Sequence, residues 1–263
     1  MHQLTPDIEK YLQVTDIFAK SARKLILDFW HANRIEVDLK SDNSPVTEVD
    51  MKCEAMLREE ISKKFPDHGI IGEEYGVSNP DSEFQWVIDP IDGTQNLVNR
   101  IPTFGSMIAL RFQGKSIVGS IDHPALDCHC IGALGQGVYF AGQRQTIIDT
   151  ICQPSIAPNE IIATSTLATF KRNDRSALFY KILELHANTR IYYDCYATTL
   201  AVTGRLGALV ECNLKLWDIA PAEILAQEAG GKFCYFQTGD QPQYYNSVFG
   251  KPAVVDKLLT LSL

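Results

Sequence analysis

The chain has 263 residues, of which 45% are hydrophobic, and this is enough for the core of one large domain or two small ones. A formal net charge of −8 argues against a general nucleic-acid or anionic-membrane partner. No apolar run approaches the roughly 20 residues of a membrane span, and the N-terminus lacks the basic and apolar regions of a signal peptide, so we expect a cytoplasmic protein.

The first predicted elements are two helices. Thr5 and Pro6 suit the start of a long amphipathic helix, because apolar residues then recur at three- and four-residue spacing as far as Phe29. A second helix is predicted after Thr47 and Asp50, whose spacing is that of a capping box. By this interpretation Asp50 has a structural role as a cap.

Two predicted strands then lead directly into carboxylates. Glu73 and Glu74 follow a short apolar pair, and Asp89 and Asp92 follow the apolar run at 86–88. Strands that end in acids present those acids at an edge of a sheet. Acids at the ends of both strands favour a metal site.

The turn after Asp92 favours an anion beside the acids. Gly93 and Thr94 begin a short predicted helix, whose first main-chain N–H groups favour negative charge. The neighbouring acids would repel this anion unless a divalent cation lay between the anion and the acids. Mg²⁺ suits such an oxygen-rich cluster. The alternative is that the aspartates only cap the turn. A further acid, Asp218, precedes another predicted helix and favours the metal interpretation.

Strands and helices alternate through the rest of the chain, which indicates a layered α/β organisation. Strands are predicted at 104–112, 116–122, 128–133, 137–141, 160–165, 189–193, 207–212 and 232–236, and helices at 174–186, 196–204 and 218–229.

Four motifs, in their order and spacing, resemble the inositol monophosphatase superfamily: Asp50, GEE at 72–74, DPIDGT at 89–94 and WDIAP at 217–221. The resemblance covers nearly the whole chain. It implies a Mg²⁺-dependent phosphate monoesterase and a homodimer. It also implies an α/β fold with a five-layer α-β-α-β-α sandwich in a single domain over 1–263, in which 1–145 carries most metal ligands and 146–263 closes the site.

The resemblance further implies the metal ligands. One Mg²⁺ would bind Glu73, Asp89 and the carbonyl oxygen of Ile91, and a second would bind Asp89, Asp92 and Asp218. Glu73 would also touch a third, weaker ion, which gives two or three ions per site.

Catalytic roles are implied for Asp50, Glu73 and Thr94. Thr94 and Asp50 would help to remove a proton from the attacking water, and the main-chain amides of Gly93 and Thr94 would hold phosphate. The loop that carries Lys40 would approach the metals. No cysteine has arginine six positions on, and the aspartates have D-x-x-D spacing instead of D-x-D, so neither a cysteine nor an aspartyl nucleophile is indicated.

Substrate signatures are mixed. The segments at 44–50, 65–74, 104–110 and 194–197, with Leu214 and Lys215, are similar to the histidinol-phosphate phosphatase branch. Residues 93–102 are more similar to the inositol monophosphatase branch. Histidinol phosphate, a substrate of histidine biosynthesis, and myo-inositol 1-phosphate are both open, and a non-catalytic regulatory binding protein is the alternative from another class.

Asp92, Asp194 and Glu211 are the candidate substrate-binding residues. A carboxylate at Asp194 could pair with the ammonium of histidinol phosphate, or it could only cap a strand end. Glu211 stands where the family places a substrate contact, and its alternative is a buried structural role. Tyr192 and Tyr193 depart from the small glycines of the branch and could narrow the pocket.

Overall fold

Two helices cover one face of a large sheet in this computed structural model, which describes residues 6–32, 37–39, 45–146, 156–238 and 241–261. The predicted cap Thr5 and the candidate Lys40 lie outside these ranges. Helix α1 (Ile8–Ala32) buries an apolar stripe against the sheet. A ribbon of β1 (Val37–Leu39) and β2 (Pro45–Thr47) leads into α2 (Glu48–Lys64). None of the helices in the described ranges is long and apolar enough to cross a membrane.

The large sheet has eight strands, in the order β10-β9-β8-β7-β6-β5-β3-β4. Strands β3 and β5 pair in parallel, with Gly72 opposite Ile88, whereas the other pairs are antiparallel. The strands are β3 (Gly69–Gly72), β4 (Gly76–Ser78), β5 (Phe84–Asp92), β6 (Gly105–Phe112), β7 (Lys115–His123), β8 (Cys128–Ala133), β9 (Gly137–Phe140) and β10 (Gln143–Gln145), with α3 (Thr94–Val98) after β5.

The small sheet has five strands, in the order β12-β11-β13-β15-β14. Its first three strands are parallel, and β15 runs antiparallel between β13 and β14. The strands and helices of this half are β11 (Ile162–Thr164), α4 (Leu167–Arg172), α5 (Ser176–Leu185), β12 (Thr189–Ile191), α6 (Asp194–Val202), β13 (Ala208–Leu214), α7 (Leu216–Glu228), β14 (Lys232–Thr238), β15 (Gln241–Gly250) and α8 (Pro252–Leu259).

Three apolar clusters join these elements into five layers. One lies between the pair α1 and α2 and the large sheet, and a second places α6 and α7 between the two sheets. The third packs α4, α5 and α8 on the outer face of the small sheet. The predicted α-β-α-β-α sandwich is therefore confirmed.

The helix predicted at 174–186 is confirmed as α5 (Ser176–Leu185), whereas the short α4 before it was not predicted. The structure has two helices, α4 and α5, and Asp174 between them has a left-handed φ of 55°. An α-helix cannot continue through that conformation. Strand β15 and helix α8 were absent from the sequence-based prediction.

Candidate metal centre and active site

Acids converge at the edge where β3 and β5 end. Since parallel strands place their carboxyl ends at the same edge, Glu73 after β3 and Asp89 in β5 come together. The main-chain N–H of Glu73 donates to the carbonyl oxygen of Ile88 (3.2 Å). Pairing with β6 shifts register between Asp89 and Asp92. The predicted strand ends therefore do present their carboxylates to one place.

Asp218 reaches the same place from α7, the helix between the sheets. The N-terminal part of α7 packs against the large sheet through Ala220, which forms one apolar cluster with Val87 and Ala109. Asp218 is the third helical residue, and its Oδ2 accepts the main-chain N–H of Lys215 (2.6 Å). The helix start therefore fixes the carboxylate.

Three carboxylates, those of Asp89, Asp92 and Asp218, offer oxygens within 4.8 Å of one another. Burial and then the charge of Glu73 raise the pKa of Asp89 well above its ordinary value, and burial and then the charge of Asp92 do the same for Asp218. Asp89 Oδ1 is buried and has no hydrogen-bond partner among the residues that the structure describes. A buried, unsatisfied carboxylate oxygen among like charges fits a hard divalent cation.

Asp92 is held by the main chain around it. Its Oδ2 accepts the N–H of Cys195, and the N–H of Gly93 also donates to its carboxylate. Burial nevertheless raises the pKa of Asp92 to about 6. Gly93 has a left-handed φ of 80° before the five-residue α3. Because its amide has this intramolecular partner, phosphate binding by Gly93 stays a prediction.

Asp50 and Thr94 are brought together, 44 residues apart in sequence. The buried Oδ2 of Asp50 accepts the N–H (2.8 Å) and hydroxyl (2.5 Å) of Thr47, so the predicted capping box is present. Its Oδ1 accepts the hydroxyl of Thr94 (3.2 Å), which also lies 3.0 Å from the carbonyl oxygen of Ile91. The single hydroxyl hydrogen of Thr94 therefore has two alternative acceptors. It would be donated to Asp50 if a cation bound the carbonyl oxygen of Ile91.

Two adjoining cavities meet at Asp92 and Asp218. The outer cavity, of about 420 Å³, is lined by all of the candidate metal ligands and, at its mouth, by Asn213, Lys215, Trp217 and Tyr244. The inner cavity, of about 120 Å³, is lined by Asp194 and Glu211. Sequence reasoning missed the mouth residues as a group, because only the fold brings Tyr244 of β15 beside Lys215.

Asp194 and Glu211 form the acidic wall of the inner cavity. The main-chain N–H of Asp194 donates to Glu211, and Asp194 Oδ2 accepts from Asn96 Nδ2 (3.3 Å). Burial and then the charge of Asp92 raise the pKa of Asp194 to about 8. Burial and then the charge of Asp194 raise the pKa of Glu211 well above its ordinary value. Asp194 begins α6 with a left-handed φ of 63°, so it is not a strand-end cap.

Tyr192 and Tyr193 are both exposed, and neither lines either cavity. The expectation that these tyrosines narrow the pocket is therefore wrong. Their backbone continues from the edge strand β12, and the chain turns toward the site only at Asp194.

Comparisons with known proteins give consistent matches over nearly the whole chain. A family model described as "Inositol monophosphatase family" matches residues 7–256. A histidinol-phosphatase from Chlorobaculum parvum is 31% identical over 246 residues, which cover 90% of this chain and 88% of that protein. A Nus factor SuhB from Vibrio cholerae is 32% identical over 251 residues, which cover 91% and 90%. The solved structure of an inositol monophosphatase from Zymomonas mobilis has a TM-score of 0.81 and 26% identity, with 98% of this chain and 100% of that chain covered.

Proposed function

This chain belongs to the inositol monophosphatase family and is a phosphoric monoester hydrolase, and on this premise we propose that it hydrolyses L-histidinol phosphate with Mg²⁺. The observation that carries the metal part is the Oδ1 of buried Asp89, which has no hydrogen-bond partner in the described part of the chain and lies among the other site carboxylates. The homodimer, the cytoplasmic location and the place in histidine biosynthesis belong to the same proposal.

The carboxylates fit Mg²⁺ because all of them are hard oxygen donors. Glu73, Asp89 and the main-chain oxygen of Ile91 would hold one ion, and Asp89, Asp92 and Asp218 a second, with a weaker third at Glu73. When bound, the ions neutralise the phosphate ester and lower the pKa of water. Without them, the repulsion among these acids would exclude a phosphate.

The chain itself supplies proton transfer and orientation. With the Ile91 oxygen on a cation, the Thr94 hydroxyl donates to Asp50, and its own oxygen can accept a proton from the attacking water. Asp50 is fixed for this role by Thr47. Since water attacks directly, no covalent intermediate on the protein forms.

The acidic inner cavity supports histidinol phosphate as the substrate. Asp194 and Glu211 lie beside Asp92, so the alcohol portion of the substrate would meet carboxylates next to the reacting phosphate. A carboxylate forms a stronger contact with an ammonium than with a hydroxyl. The similarity to the histidinol-phosphatase of Chlorobaculum parvum supports the same assignment.

Phosphate release from L-histidinol phosphate and from myo-inositol 1-phosphate, each with Mg²⁺ and with a chelator, tests the proposal. We expect Mg²⁺-dependent turnover with a higher kcat/KM for histidinol phosphate, and a lower kcat/KM when its amine is acetylated. Equal rates with acetylated and free amine would contradict the ammonium contact.

Myo-inositol 1-phosphate is the second candidate substrate, because residues 93–102 carry Asn96, which contacts Asp194, and resemble that branch. A preference for it would reassign the inner cavity to hydroxyl groups. The similarity to a Nus factor SuhB keeps a regulatory protein as a third candidate. A wild-type protein that binds Mg²⁺ but releases no phosphate from either ester would favour that candidate.

A further inference from the structure

Glu54 is a fully buried acid outside the acidic metal cluster, on the second turn of α2. Its Oε2 accepts the main-chain N–H of Glu74 (2.7 Å), and its Oε1 accepts that of Tyr75 (3.1 Å). Arg58, one helical turn further on, donates from Nε to the same Oε1 (2.7 Å) and balances the buried charge. The Glu54 carboxylate on α2 thereby accepts hydrogen bonds from the loop that follows β3.

The same loop carries Glu73 into the outer cavity. Arg58 also donates to the carbonyl oxygen of Gly76 and lies 3.4 Å from Ser78 Oγ, so α2 holds β4 as well. A side chain at Gly72 would collide with the Glu54 carboxylate, so this glycine is what lets the loop lie against it. On the other side, β5 accepts the Glu73 N–H. Hydrogen bonds therefore fix the main chain on both sides of the Glu73 side chain.

We propose that Glu54 is a positioning residue for the metal centre. By holding the N–H groups of Glu74 and Tyr75, it aims the carboxylate of Glu73 at the bound ion. The inference rests on the proposed function, since it requires Mg²⁺ at Glu73. Loss of such a supporting contact typically lowers metal affinity by about 10- to 100-fold.

Glu54→Gln is the sharpest test, because glutamine keeps the volume of the side chain. It retains one acceptor oxygen, and its NH₂ group faces a main-chain donor or the Arg58 guanidinium. We expect the Kd for Mg²⁺, from isothermal titration calorimetry of the folded protein, to rise by about 10- to 100-fold. At saturating Mg²⁺, kcat and the substrate KM should stay within about twofold of the wild type, because Glu54 lines neither site cavity.

Glu59→Gln is the matched control. Glu59 lies on the same helix and pairs with Lys63 four residues on, as Glu54 does with Arg58, but both members of this pair are exposed. We expect unchanged Mg²⁺ binding in this variant.

Unchanged Mg²⁺ binding by folded Glu54→Gln would overturn the proposal, as would a loss of kcat that saturating Mg²⁺ does not restore. If that variant does not fold, Glu54→Asp decides, because aspartate keeps the charge beside Arg58 and is one methylene shorter than the side chain that accepts the N–H groups of Glu74 and Tyr75. Weaker Mg²⁺ binding in folded Glu54→Asp would support the proposal, and unchanged binding would overturn it. A wild-type protein that neither binds Mg²⁺ nor releases phosphate contradicts the proposed function itself, which separates the two failures.

Discussion

The substitution Asp92→Asn should stabilise the metal-free protein, and the same substitution should abolish phosphate release. Carboxylate oxygens of Asp89, Asp92 and Asp218 lie within 4.8 Å of one another. Two unit charges at that separation repel by about 3.5 kcal/mol at an effective dielectric constant of about 20. Burial, and after it the charges of neighbouring acids, raise the pKa values of all three, so the metal-free fold takes up protons that relieve this repulsion.

The magnitude follows from the pKa of Asp92, which is raised to about 6. The ordinary pKa of an aspartate is about 3.9, and a difference of one in pKa corresponds to about 1.4 kcal/mol. The ionised Asp92 carboxylate therefore destabilises the metal-free fold by at most about 3 kcal/mol. Solvent reaches this half-buried carboxylate, so we expect about 1–2 kcal/mol. Asparagine keeps one oxygen as an acceptor for the N–H groups of Cys195 and Gly93, and the Tm should rise by roughly 2–8 °C.

The assay is calorimetric melting at pH 8, with chelator and with Mg²⁺, together with phosphate release from L-histidinol phosphate. We expect Asp92→Asn to melt above the wild type in chelator, to gain little from Mg²⁺ and to lose turnover. Asp81→Asn, at an exposed acid outside the site, serves as the control and should behave as the wild type.

A lower Tm than the wild type in chelator would refute the reasoning, because it would mean that Asp92 stabilises the fold without a metal. Turnover within about tenfold of the wild type would refute it equally, since a lost metal ligand should cost at least a factor of this size.

Three further predictions concern proton transfer, substrate charge and pH. Thr94→Val should lower kcat by about 10²- to 10⁴-fold and Thr94→Ser should restore it, because the hydroxyl relays a proton; equal losses in both variants would contradict this role. Asp194→Asn should lower kcat/KM for histidinol phosphate by about 10- to 100-fold, because a charged hydrogen bond contributes about 1.5–3 kcal/mol, and it should leave kcat/KM for inositol phosphate unchanged. Equal losses of kcat/KM for both substrates would contradict the ammonium contact. The Tm of metal-free protein should fall between about pH 7.5 and 8.5, because the folded state keeps the proton of Asp194, whose pKa is raised to about 8, for longer than the unfolded state does. The pKa values of His68, His123 and His129 are lowered to about 4 and give the opposite trend, which is complete near pH 7.5, one unit above the unfolded pKa of histidine, so a Tm that rises above that pH would contradict the assignment.

Local sequence rules predicted the elements that carry the motifs. The capping box of Thr47 and Asp50 depends on a spacing of three residues, and the strands predicted at 104–112 and 116–122 depend on two neighbouring apolar runs. Strand β5 and the short helix α3 likewise follow from adjacent residues. The loops with acids could therefore be placed without any long-range information.

Contacts between distant segments could not be predicted in the same way. Glu54 lies 20 residues from the Glu74 N–H that it accepts, and Asn96 lies 98 residues from Asp194. A buried glutamate on a helix face gives no local signal of its partner. The placement of β15 between β13 and β14, which brings Tyr244 to the site, depends on sheet order and not on any motif.

The most direct test of the proposed metal centre is a crystal structure of the protein grown with Mn²⁺, located by its anomalous scattering. Mn²⁺ prefers the same oxygen ligands as Mg²⁺. We expect at least two peaks, about 3.5–4 Å apart, bound by Glu73, Asp89, Asp92 and Asp218. An anomalous map with no peak among these four carboxylates, at a Mn²⁺ concentration that supports turnover, would contradict the assignment of the site.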